Sequence, residues 1–240
     1  MSNQFKCDVD VYTTADSGTR DPHKCQLGVF HDTENDDATD PVSVAHWQQD
    51  RANGSSYNIL VGVDGKTVRS NDDNYIPWAA GTTGNRVGLH ASAIGRASRT
   101  RLDWEKHPKQ LEALARWAAD LHTRYGIPLV WLTAEQVRAG ARGFCGHSQV
   151  SAAWREVDHT DPGPGFPHDI VLDRARAIAN GTQDKKDTPM TPNYEKLIFE
   201  QLTGPGDDFR GWAQLGGRTL VDALAAIGEK LGVEAFKAPE

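Results

Sequence analysis

Along the first 180 positions, hydrophobic residues occur alternately with the period of a β-strand and with the period of an α-helix. Short apolar runs that alternate with polar residues, or that are bounded by turn residues, predict strands. Such runs predict strands over residues 8–12, 26–30, 56–63, 66–69, 87–91 and 127–132. The first of them is a candidate edge strand.

Helices are predicted where apolar residues recur at three- and four-residue steps. The clearest helix covers residues 108–125 and is ended by Gly126. Its apolar face consists of Leu111, Leu114, Trp117, Ala118, Leu121 and Tyr125. Further helices are predicted over 41–52, from 133 to near 140, and over 170–179, 194–202 and 219–231. Strands and helices that alternate in this way are typical of an α/β protein.

Turn and capping residues add detail to this pattern. The Asp64-Gly65 pair predicts a hairpin between the third and fourth strands. Thr133, with Gln136 three residues later, predicts a capping box at the start of a short helix. Residues 71–85 are polar and rich in glycine, so we predict a loop there.

Composition narrows the class of protein. The chain has 240 residues, of which 38% are hydrophobic and 25% charged, which are values of a globular protein. A net charge of −7 argues against a nucleic-acid partner, because no basic stripe is available to neutralise phosphates. No run approaches the roughly 20 apolar residues of a bilayer span, so no membrane insertion is expected. Three cysteines are too few for a disulfide framework.

The candidate chemistry lies in two polar segments that follow apolar ones. His31 comes directly after the apolar run 27–30, and a later segment contains His147 and Asp161. Catalytic zinc takes three protein ligands from His, Asp, Glu or Cys and leaves a fourth position for water. His31, His147 and Asp161 could supply that set. Two alternatives stay open, namely His159 in place of Asp161, and Cys145, which would face the same way as His147 on a strand.

Several spaced motifs carry a resemblance to a known family. They are the segments Gly146-His147-Ser148, His159-Thr160-Asp161-Pro162-Gly163-Pro164, Tyr57-Asn58-Ile59 before Asp64-Gly65, Pro77-Trp78-Ala79-Ala80-Gly81, and Asn85 to His90. Their order between about residues 28 and 167 resembles the zinc-dependent N-acetylmuramoyl-L-alanine amidases of type 2. That family includes the peptidoglycan recognition proteins and many phage endolysins. The segment 211–224 looks like part of an actinobacteriophage (mycobacteriophage-type) endolysin.

The resemblance implies a fold and a metal site. The expected fold is α/β, with a central mixed β-sheet flanked by helices and a zinc site in a surface groove. The zinc ligands carried over from the family are His31, His147 and Asp161. His159 stands at the place of the family's catalytic lysine, where an imidazole could stabilise an oxyanion. Tyr57 matches a tyrosine that hydrogen-bonds the activated water.

This sequence matches the family less well at the positions of the general base and the substrate contacts. The family has a glutamate at the place of His90, so the proton acceptor stays open between His90, Glu34 and neither of them. Glu34 could equally orient a zinc histidine. Trp78 and Asn85 are candidate contacts to the sugar or the peptide of the substrate.

The implied function is cleavage of peptidoglycan between N-acetylmuramic acid and L-alanine, with zinc as cofactor. Because residues 1–6 show no secretory signal, we expect cytoplasmic production by the host of a phage lysin, which reaches the wall after membrane permeabilisation. A cytoplasmic recycling amidase is the alternative setting. The rival functions are a non-catalytic peptidoglycan-binding module and a zinc peptidase that cuts within the stem peptide.

The resemblance and the polar stretch after Gly181 together predict the domain organisation. We predict a zinc amidase domain over residues 1–181 and a linker over 182–190. Residues 191–240 are predicted to form a short helical extension that docks on the catalytic domain or binds the wall. The oligomeric state is not predicted.

Overall fold

The computed structural model of the protein describes residues 4–181, 202, 213–231 and 233. The chain divides into two compact units, Met1–Met190 and Thr191–Glu240. No helix in the described ranges is long and apolar enough to cross a membrane.

A six-stranded mixed sheet forms the centre of the first unit. Its strands are β1 (Val9–Asp10), β3 (Leu27–Asp32), β4 (Ile59–Val61), β5 (Thr67–Arg69), β7 (Gly88–Ala93) and β8 (Gly143–Gly146), and they lie in the order β1-β5-β4-β7-β3-β8. Strands β4, β7, β3 and β8 run parallel, whereas β5 pairs antiparallel with β4. A separate two-stranded ribbon pairs β2 (Asp16–Thr19) with β6 (Tyr75–Pro77).

Eight α-helices have both ends within the described residues. They are α1 (Pro41–Trp47), α2 (Gly81–Val87), α3 (Arg101–Glu105), α4 (Pro108–Tyr125), α5 (Ala134–Arg138), α6 (His147–Trp154), α7 (His168–Ala179) and α8 (Leu220–Lys230). The first seven surround the sheet of the first unit, and α8 lies in the second unit, where the Thr219 side chain caps it.

The two faces of the sheet bury different groups because side chains alternate along a strand. On one face, Phe30 and Phe144 pack with Trp117 of α4 in the largest apolar cluster. On the other face, Val29 and Cys145 pack in a smaller cluster with residues of α5 and α6. His31 follows Val29 by two residues, so it lies on this second face, beyond the end of the smaller cluster.

The structure confirms the predicted α/β fold with a central mixed sheet flanked by helices. Helix α4 has the predicted bounds, and its six predicted apolar residues are buried. The hairpin at Asp64-Gly65 and the capping box of Thr133 and Gln136 are also confirmed. Strand β1 lies at the sheet edge, as expected.

Three predictions of secondary structure are wrong. Residues 127–132 form no strand, and only Trp131 makes an isolated bridge, to Phe144, while Val130 is exposed. The predicted loop 71–85 contains β6 and most of α2. The helix predicted over 41–52 ends at Trp47 and is followed by a short 3₁₀ turn. The helix predicted over 194–202 lies outside the described residues, apart from Leu202.

Candidate functional site

The parallel strands bring the predicted metal ligands to one edge of the sheet. His31 lies near the carboxyl end of β3, and His147 follows the carboxyl end of the neighbouring β8 as the first residue of α6. Asp161 lies in the loop after α6, and its backbone carbonyl accepts a hydrogen bond from the Ser148 amide. In open α/β sheets, ligands bind at this carboxyl edge.

The three side chains meet around the carboxylate of Asp161. His31 Nδ1 lies 3.0 Å from Asp161 Oδ2, and His147 Nδ1 lies 3.0 Å from Asp161 Oδ1. All three residues are buried. Their potential ligand atoms lie within 4.8 Å of one another, and they form the one such group found among the described residues.

The electrostatics favour a neutral imidazole at His31 and an ionised carboxylate at Asp161. Burial lowers the pKa of His31 to about 4, against the opposing effect of Asp161. Burial alone would raise the pKa of Asp161, but hydrogen bonds with His147 and His31 hold it well below its usual value. Metal ligands must have these protonation states, because a protonated imidazole has no free lone pair.

The residues fit a zinc ion. Two imidazoles and one carboxylate are the donor set of a catalytic zinc site with an open fourth position. Both histidine Nδ1 atoms lie 3.0 Å from the carboxylate of Asp161, so the three residues turn donor atoms toward one another. The predicted ligands His31, His147 and Asp161 are therefore brought together in an arrangement that could hold the metal.

The structure contradicts the alternative role of Cys145. The chain leaves the sheet at Gly146 and begins α6 at His147, so the two side chains do not share one strand face. Cys145 is fully buried among apolar residues, and this burial raises the pKa of its thiol. It is a core residue.

A groove of about 750 Å³ opens over the metal-ligand group. Tyr57, Trp78, His147 and His159 contribute to its walls. The His159 ring stacks on that of His147, with centroids 4.5 Å apart and planes inclined by 11°. Its side chain is 60% exposed and its Nδ1 lies 3.9 Å from Asp161 Oδ1. His159 is thus placed above the metal-ligand group, facing the groove, whereas Asp161 lies among the three residues that could hold a metal.

Tyr57 lies on the other side of His31. The two ring centroids are 5.1 Å apart. Burial raises the pKa of Tyr57 to about 12, and the negative charge of Asp161 adds to this effect. The phenol therefore stays protonated at neutral pH and can donate a hydrogen bond.

Glu34 also lines the groove, but it does not orient His31. Its Oε1 accepts a hydrogen bond from the Ala97 amide. The two ring nitrogens of His31 face Asp161 and His90 instead, each at 3.0 Å. The alternative role of Glu34 as an orienting partner is therefore wrong, and its role as proton acceptor stays a prediction.

The two predicted substrate contacts form part of the groove wall. Arg51 lies over the Trp78 ring at 4.6 Å from its centroid, and the indole N–H donates to Ser17. The side-chain oxygen of Asn85 accepts hydrogen bonds from the amides of Ala79 and Ala80. Asn85 thus shapes the loop that carries Trp78, and its oxygen is already occupied.

One residue of the groove, Asp32, was not among the site residues predicted from the sequence. Asp32 is 4% exposed, and its Oδ2 has no hydrogen-bond partner. Burial raises the pKa of this carboxyl to about 7, although the Glu34 amide donates to its Oδ1. Its position next to His31 was a signal, but its burial depends on the surrounding loops.

Comparisons by sequence give matches to two family models. A model described as N-acetylmuramoyl-L-alanine amidase matches residues 21–164, which is more than half of the chain. A second model, described as the Rv3766 C-terminal domain, matches residues 190–234. A search of curated proteins gives no significant match.

The structure is similar to several solved proteins. Hydrolase AmiA of Staphylococcus aureus, solved with its ligand, aligns with a TM-score of 0.57 at 18% identity, covering 74% of this chain and 87% of that one. This likeness shows a common fold. The amidase LysC from Clostridium intestinale URNW has a TM-score of 0.49 at 15% identity, with 71% and 99% covered. A selenomethionine derivative of AmpD has 0.49 at 20%, with 73% and 96% covered.

Proposed function

Because the chain belongs to the N-acetylmuramoyl-L-alanine amidase family, we propose that it hydrolyses the amide bond between N-acetylmuramic acid and L-alanine with the help of a zinc ion. Family membership supports the peptidoglycan amidase activity. The observation that supports the metal is the buried group of His31, His147 and Asp161 below an open groove.

His31, His147 and Asp161 would hold the zinc ion. When bound, the metal would supply Lewis-acid chemistry, polarising the scissile carbonyl and lowering the pKa of water to about 7. Asp161 keeps its negative charge, which partly compensates the charge of the ion. The deep burial of His31 keeps its ring neutral, and His147 is buried beside it.

The groove residues would act on the substrate. We assign His159 to stabilising the developing oxyanion, because its exposed ring stacks on His147 and faces the groove. Tyr57 would donate a hydrogen bond to the attacking water, and Glu34 would accept its proton. The variants Tyr57→Phe and Glu34→Gln test these two roles in the rate assay described next.

The variant His159→Ala is expected to lower kcat about 100-fold while the zinc content stays at one per chain, because one oxyanion donor is worth this much. The measurement is the initial rate on solubilised peptidoglycan together with the metal content of the same sample. Thr160→Ala, an exposed neighbour in the same loop, is the matched control. Loss of zinc would instead make His159 a ligand, and an unchanged kcat would remove it from the mechanism.

Digestion of purified peptidoglycan is expected to release free stem peptides that begin with L-alanine, and a chelator should abolish the release. Mass spectrometry identifies the released products. Added zinc should restore the activity. The glycan strands should stay intact. Other new amino ends would indicate a zinc peptidase, and binding without release would indicate a recognition module.

The biological setting is a further proposal. The likeness of the segment 211–224 to actinobacteriophage endolysins supports host-cell lysis as the role. A lysin should release peptides from intact cell-wall sacculi, whereas a recycling amidase should act mainly on soluble muropeptides. A preference for soluble muropeptides in the same digestion would contradict the lysin role.

A further inference from the structure

His90 lies behind His31, on the side of the His31 ring that faces away from Asp161. Both histidines are buried. His31 Nε2 is 3.0 Å from His90 Nδ1. His31 is 1% exposed and His90 is fully buried, in the middle of β7. His90 does not contribute to the groove wall. It is therefore not placed to take a proton from water or substrate, although it stands where the family has its glutamate.

The orientation of His31 decides which of its nitrogens can bind a metal. Its Nδ1 points to Asp161, while its Nε2 points to His90. A neutral imidazole has one N–H and one lone pair. If Nδ1 binds the metal, the hydrogen must be on Nε2, and this N–H requires an acceptor behind the ring.

His90 meets that requirement if its own hydrogen is on Nε2. Its Nδ1 then accepts from His31, while its Nε2 is buried without a hydrogen-bond partner among the described residues. The structure fixes His90 from two directions. Its backbone N–H donates to Asn58 Oδ1 at 2.9 Å, and a Cβ on Gly88 would lie only 2.8 Å from its Nε2.

The guanidinium of Arg20 contacts the start of β7, two residues before His90. Arg20 donates to the carbonyls of Gly88 and Asn85, at 2.6 and 2.7 Å. These bonds hold the start of β7, and with it the strand segment that carries His90.

We propose that His90 is a positioning residue of the metal-loaded protein, in which it accepts the Nε2–H of His31 and so favours the tautomer whose Nδ1 binds zinc. In the metal-free protein, that Nδ1 carries the hydrogen that is donated to Asp161. This inference rests on the proposed zinc site. His90 stands at the position of the family's glutamate. In this chain it would orient the ligand His31 and would not accept a proton in the groove.

Zinc affinity of two near-isosteric variants tests the proposal. His90→Asn keeps an acceptor near the position of Nδ1, whereas His90→Leu removes it. Competition against a chromophoric chelator should show a 10- to 100-fold weaker affinity for His90→Leu, the usual effect of losing such a partner. His90→Asn should stay within about threefold of the parent. Equal affinities for His90→Leu and the parent protein would overturn the proposal.

A second measurement does not depend on the folding of a variant. Nitrogen-15 NMR of the zinc-loaded parent protein should show His31 with its hydrogen on Nε2 and His90 with an unprotonated Nδ1. A hydrogen on His90 Nδ1 in the loaded protein would overturn the proposal. If the parent protein binds no zinc at all, the proposed function fails first, and the two failures are thus distinguished.

Discussion

The variant Asp161→Asn is expected to bind zinc more than about 100-fold more weakly and to lose amidase activity in parallel. The loss of a ligand should exceed the 10- to 100-fold effect of losing an outer partner of a metal ligand. The carboxylate contacts both His31 and His147 through different oxygens. An amide of the same shape has no charge and only one accepting oxygen, so it cannot serve both imidazoles. Chelator competition and the product assay measure the two effects.

The matched control for this variant is Asp158→Asn. Asp158 lies three residues earlier in the same loop, lines the same groove and is exposed. It should retain the zinc affinity of the parent protein, so a loss in both variants would indicate a general effect of charge. Unchanged zinc affinity in Asp161→Asn would remove Asp161 from the ligand set.

The variant Gly163→Ala is expected to reduce the free energy of unfolding by roughly 2–5 kcal/mol. Gly163 has a φ of +83°, which costs a residue with a side chain about 1–2 kcal/mol. A Cβ there would also overlap the carbonyl oxygen of Ala97, and overpacking adds about 1–3 kcal/mol. Because backbone atoms cannot turn away as a side chain does, the loop that carries Asp161 must move.

Gly126→Ala is a control that separates the cost of the left-handed backbone from the cost of the steric overlap. Gly126 also has a left-handed backbone, with a φ of +65°, but no atom lies within 4 Å of its Cβ position. It should lose only the conformational share, about 1–2 kcal/mol. Urea unfolding of the metal-free proteins measures both variants. Equal losses would show that the loop at Gly163 adapts without strain, and zinc affinity should then be unchanged as well.

The parts of the fold that could be predicted are those encoded by local and repeated signals. Helix α4 combines a long amphipathic pattern with Pro108 at its start and Gly126 at its end, so its bounds follow from the sequence. Residues 127–132 are apolar too, but there only Trp131 bridges the neighbouring Phe144. Whether a short apolar run joins a sheet depends on its neighbours in space. Helix α2 was missed because no side chain caps its start.

The candidate site, too, could be predicted from the sequence only in part. The resemblance to the family, which spaced motifs carry, selected His31, His147 and Asp161 as candidate ligands, and the structure brings these three together. The contact between His31 and His90 depends on the register between β3 and β7, in which Val29 lies opposite His90. A register between strands 60 residues apart leaves no trace in local sequence. The burial of Asp32 likewise arises only from tertiary packing.

The contact between His31 and Asp161 joins positions 130 residues apart along the chain. A metal ion held by these two residues would act as a reversible cross-link, closing a loop of more than half the protein. Since the unfolded chain presents no preformed site, the free energy of metal binding would add to that of folding. At a free zinc concentration of 1,000 times Kd, this linkage would contribute about 4 kcal/mol. The resistance of the protein to proteases would then increase with the free zinc concentration around it.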